Sequence, residues 1–134
     1  MNKRQSKNPF PENKKSKIWV DNNGVVNVVV ASQITEDDVT LLVEKIKETL
    51  RGISGKTRVL IDISTTSIIH SYRFRKRTAD QIREAIKYPG IGKAAIFGGG
   101  VIMKTIASFI VVASGVENIR IFEKKEKALN WLLK

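Results

Sequence analysis

The run Arg58–Ile63, RVLIDI, limits what this chain can fold into more than any other stretch. It is short and almost continuously apolar, the pattern of a strand buried on both faces of a parallel sheet. Such a strand needs parallel neighbours and crossover helices, and the surrounding sequence supplies both.

Upstream, Lys17–Asn22 (KIWVDN) and Val25–Val30 (VVNVVV) flank Asn23-Gly24, which predicts a β-hairpin because both turn residues tolerate positive φ. In the second strand Val26, Val28 and Val30 share one face and Val25, Asn27 and Val29 the other, a pattern suited to cover on both sides. Thr35, followed by Glu36, Asp37 and Asp38, reads as a helix start: the hydroxyl caps a free amide and the carboxylates meet the positive end of the dipole. Capping accounts for that acidic triplet better than a cation site does. Val39, Leu42, Val43, Ile46, Leu50 and Ile53 then recur at helical spacing, leaving Glu44, Lys45, Lys47 and Glu48 to solvent.

Downstream, a helix over roughly Ser71–Tyr88 is broken by Pro89-Gly90, and Lys93–Phe97 (KAAIF) gives the next strand. Gly98-Gly99-Gly100 turns directly into the apolar helix Val101–Ser114, whose packed face is expected to hold Ile102, Ile106, Phe109, Ile110 and Ala113. Asn118–Phe122 supplies a last strand and Lys124–Leu133 a closing helix, with Ala128, Trp131 and Leu132 to dock it. The order β-β-α-β-α-β-α-β-α predicts an α/β fold: a five-stranded, mostly parallel sheet with an N-terminal antiparallel hairpin.

With 134 residues, 42% of them hydrophobic, the chain has material for one core. Residues 1–16 contain Pro9 and Pro11 without apolar periodicity, so they are expected to be a disordered basic arm before a single domain over 17–134. The chain has no cysteine and one histidine, His70. That composition excludes disulfides, thiolate chemistry and His/Cys metal sites, and it leaves no base for a nucleophile, since His70 and Ser71 are sequence neighbours whose side chains diverge. A non-enzymatic protein without cofactor or metal is expected. The N-terminus lacks the apolar core of a signal peptide. Val101–Gly115 contains Lys104 and is shorter than the ~20 residues a bilayer requires, so a soluble, cytoplasmic protein, monomer or homodimer, is expected.

The formal net charge is +11. It is concentrated in residues 1–17, with six Lys or Arg against Glu12, and in residues 70–93, with seven against Asp80 and Glu84. In the second cluster Tyr72 and Phe74 interleave with Arg73, Arg75, Lys76 and Arg77, an arrangement able to neutralise phosphates and stack bases. On a helix those four cations spread over more than one face, so nucleic acid or an anionic membrane surface is the alternative partner. Asp62 and Ser64 close the RVLIDI strand at the sheet end where ligand and partner sites gather. A carboxylate bonded to turn amides is the structural reading of Asp62. Gly98, Gly99 and Gly100 form a candidate anion or ligand turn, although no dinucleotide or P-loop pattern surrounds them and a tight packing turn explains them more simply.

The opening IWVDNNGV, the helix start ITEDD, the strand VLIDI, the segment KAAIFG and the closing IRIFEKKEKALNWL occur in an order that resembles the SpoIIAA-like group of STAS-type domains, related in shape to CRAL-TRIO lipid-transfer domains. The resemblance covers about residues 17–134. It implies a sheet with one antiparallel edge strand, helices largely on one side, and a binding or regulatory role toward a protein partner or a small apolar ligand; a lipid or small-molecule carrier is a further alternative. In the classical anti-sigma factor antagonists among STAS-type domains, an Asp-Ser-Ser-Gly turn holds the serine that a partner kinase phosphorylates. Here His70 replaces the aspartate, Tyr72 stands at the phosphorylated serine and Arg73 at the glycine, and only Ser71 survives. The resemblance therefore points to the junction 64–77 as the working surface, with an apolar pocket between its helix and Val101–Ser114.

Overall fold

The computed structural model of the chain describes residues 16–66 and 72–134. Strands β1 (Lys17–Val20) and β2 (Val26–Val29) open the fold. Helix α1 (Glu36–Arg51), β3 (Thr57–Asp62), α2 (Tyr72–Ile86), β4 (Ile91–Phe97), α3 (Gly100–Ser114), β5 (Ile119–Phe122) and α4 (Lys125–Leu132) follow in the expected order.

The five strands lie in the order β1-β2-β3-β4-β5. β1 is antiparallel to β2 and every other pairing is parallel. Each crossover moves one strand onward in the same direction, so crossovers of a single hand put α1, α2 and α3 on one face. That face holds the larger core, in which Val26, Val28, Val59, Ile63, Ala94 and Ile96 of the sheet side meet Ile46, Leu50, Ala79, Met103, Ile106 and Ile110 of the helices. Against the opposite face α4 packs Ala128 and Leu132 onto Leu60, Ala95 and Phe97. This short helix is also held by its carbonyls. Arg58 Nε donates to Leu132 O at 2.6 Å and Lys93 Nζ to Trp131 O at 3.2 Å, placing sheet cations at the negative end of the α4 dipole.

The hairpin forms as expected, with Asp21 as its organiser. The Asn23 and Val25 amides donate to Asp21 Oδ1 at 2.8 and 3.1 Å, and Asn27 Nδ2 donates to Oδ2 at 2.9 Å. β2 is buried at Val26, Asn27 and Val28, as a strand covered on both faces requires. α1 starts with a full capping box: Asp38 N donates to Thr35 Oγ1, and Thr35 N to Asp38 Oδ2.

The expected packing face of α3 needs correction. Ile106 and Ile110 point inward with Met103, Ala107 and Ser114. Ile102 is 72% exposed and Phe109 41%, and Ala113 also faces outward. A helix that is apolar nearly all round offers no periodic contrast, so spacing alone does not select the buried stripe.

Candidate functional site

At the C-terminal edge of the sheet the β3–α2 and β4–α3 connections touch. Asp62 Oδ1 accepts from the Ser64 amide at 2.8 Å, which is the structural role open to it from the sequence. Ile63 N donates to Phe97 O at 3.0 Å, extending the β3–β4 ladder into the turn. The three glycines that follow Phe97 all have positive φ, 95°, 88° and 67°. A Cβ on Gly98 would overlap Ser64, and one on Gly99 would press on Met103 and Ile63. The turn thus brings α3 tightly against the end of β3; close packing and positive φ both select glycine at 98 and 99, and positive φ alone at 100. The strand order never reverses, so the sheet lacks the crevice that a reversal opens for a cofactor in doubly wound folds.

The candidate cations on α2 separate into three directions. Arg77 Nε lies 3.0 Å and Arg73 Nε 3.9 Å from Glu36 of α1, so the acidic first turn of α1 meets two of them. Arg75 turns the other way and sets its guanidinium 5.1 Å from the Phe109 ring centroid on α3. Lys76 and Tyr72 point to solvent. His70 and Ser71 lie outside the described residues. The first turn of α2 contains no acidic residue, and Glu36 compensates across the helix pair. Arg83 is one of the seven basic residues of 70–93 but not one of the candidate site residues. It donates through Nε to Ser114 O at 2.9 Å and through Nη2 to Ala113 O at 3.1 Å, capping α3 and fixing α2 beside it.

Two concavities result. A shallow groove runs between α2 and α3, floored by Ala79 and Ala113 and walled by Tyr72, Lys76, Asp80, Arg83 and Phe109. Beyond Phe109 the outer face of α3 continues with Ile102 and Val112, 79% exposed. The second is an apolar pocket of about 170 Å³ between the sheet and α1, α2 and α3, partly open to solvent, so the apolar space expected between α2 and α3 extends under α1 as well.

Among the described residues no three His, Cys, Asp or Glu side chains are grouped to hold a metal ion. No helix among them is long and apolar enough to cross a membrane. The Asp21 carboxyl is held below its ordinary value. Burial opposes its charge, and the hydrogen bonds from Asn27, Val25 and Asn23, together with the charge of Lys125, outweigh that opposition.

A family model described as SpoIIAA-like matches residues 25–133. No curated protein matches the chain.

Proposed function

Because the chain belongs to the SpoIIAA-like family, we propose that it is a non-enzymatic STAS-type module that acts by binding a protein partner through the α2–α3 face. The observation behind this reading is the groove between those helices, where exposed Tyr72 and Phe109 stand beside Lys76 and Arg83 over a floor of alanines. Aromatic and arginine side chains around a small-residue depression are the residue types that dominate binding energy at protein interfaces. Ile102 and Val112 extend the exposed apolar surface along α3. The matching partner surface has an apolar anchor for the groove and a carboxylate at its rim facing Lys76, since Arg83 is already paired with Asp80 at 3.0 Å. Asp62, Ser64 and the glycine turn pack together where β4 leads into α3, and in this reading they position the face without contacting the partner.

Site-specific photo-crosslinking in the host tests it. A photoreactive residue at Tyr72 or Ile102 is expected to trap one discrete partner, and the same residue at Lys127 on α4 to trap none. Equal capture from both faces, or none from α2 and α3, would contradict the proposal.

A further inference from the structure

The apolar pocket is separate from the groove, which opens on the outer side of α2 and α3. Its walls come from every layer of the helix-covered half, including Val43 of α1, Ile61 of β3, Ile82 of α2 and Ile106 of α3. Ile61 belongs to the central strand, with β2 and β4 bonded on either side, yet it is only half-buried. Its side chain faces open space where a filled core would cover it.

The wall presents no polar atom to that space. Of the two threonines that border it, Thr66 donates its hydroxyl to Val30 O at 3.2 Å, and the Thr78 hydroxyl is occluded without a partner. A water molecule needs two to four polar partners to remain in such a place, and this wall offers none. Its size is also diagnostic. At about 170 Å³ it is close to an engineered apolar cavity of about 150 Å³ that takes up benzene. A long acyl chain is several times larger than a benzene ring. The half-buried residues Leu42 and Val43 of α1 and Ile82, Ala85 and Ile86 of α2 border the cavity between these two helices, which gives a ligand a route in.

We propose that this cavity is a binding site for a compact, uncharged and wholly apolar molecule of about one aromatic ring, and that a long-chain lipid does not enter it. Volume sets the upper limit, and the absence of any polar wall atom sets the chemistry, because a buried hydroxyl or carboxylate on the ligand would be left unpaired. The partner-binding face does not depend on this site.

Toluene is the probe. Titrated into the full chain and followed by amide chemical shifts, it is expected to saturate and to move the resonances of Ile61, Thr78 and Ile106, leaving those of α4 unchanged. Palmitate at matched free concentration is expected to leave these resonances unmoved. Ala85→Leu, which places a larger side chain in the space, is expected to weaken toluene binding by about tenfold or more with the spectrum otherwise retained. The wild-type titration decides the matter even if that variant fails to fold: no saturable shift with toluene, or shifts spread over the surface, overturns the site. Saturable shifts of the cavity residues with palmitate overturn the size limit.

Discussion

Glu36 sits in the first turn of α1, where its charge complements the helix dipole, and it also receives Arg73 and Arg77 from α2. Both arginines are largely exposed, so each pair is screened by solvent and the combined effect is modest. Glu36→Gln is expected to lower stability by about 1 kcal/mol in urea denaturation at low salt, and by less at high salt. Lys76→Ala, at an unpaired surface site, is expected to change it by no more than about 0.5 kcal/mol. Equal midpoints for the two variants would show that the α1–α2 pairs contribute nothing. Asp21 makes a different prediction, because its folded-state value lies below the ordinary 3.8. A depressed carboxylate adds stability that is present above the unfolded value and is lost as pH falls through the folded one. Thermal unfolding of wild type is therefore expected to fall more steeply below about pH 3.8 than that of Asp21→Asn. Parallel pH profiles would refute this. The capping role of Thr35 and Asp38 was legible in the sequence because its atoms lie within one turn. The hairpin turn was legible too, from Asn23-Gly24, whereas the pairing of Asp21 with Asn27 and of Glu36 with α2 joins residues brought together only by folding.

At the level of elements, the glycine turn before α3 separates two effects that a sequence cannot. Gly98 and Gly100 both have positive φ, but a Cβ on Gly98 would overlap Ser64 and one on Gly100 would meet open space. Gly100→Ala is expected to cost about 1–2 kcal/mol, the penalty of the left-handed backbone alone. Gly98→Ala must also move the β3–α2 connection, and is expected to cost about 3 kcal/mol or more. Similar losses in denaturant titrations of the two variants would mean that backbone conformation governs the turn and close packing does not. Strand and helix order was legible throughout, since RVLIDI and KAAIF are apolar runs and α1 has a clear stripe. The orientation of α3 was not. Val101, Ile102, Ile106, Phe109, Ile110, Val111 and Val112 surround that helix with apolar surface, and the inward face that results is Met103, Ile106, Ala107, Ile110 and Ser114. The four cations of α2 were visible as a cluster, and their dispersal toward Glu36, Phe109 and solvent depends on which helices flank α2.

For the molecule as a whole, a single-handed winding sends α1, α2 and α3 to one side of the sheet, and the space they enclose is larger than their side chains fill. An empty apolar space and an occupied one affect global stability in opposite ways, which allows one experiment to test both the void and its ligand. Ala85→Leu adds buried apolar surface to a site with room for it, and is expected to raise unliganded stability by about 0.5–2 kcal/mol. Toluene at about ten times its Kd is expected to stabilise wild type by about 1.4 kcal/mol, the mass-action value for a ligand that binds only the folded state. Because the leucine and the toluene compete for the same volume, the two gains cannot add, and the variant is expected to show almost no toluene-dependent shift in its unfolding midpoint. Additive gains would place toluene elsewhere on the protein, with the α2–α3 groove the next site to examine. A loss of stability in Ala85→Leu without toluene would show that the space is already filled by motion of its walls, and that the helices close over the sheet more tightly than the half-buried Ile61 indicates.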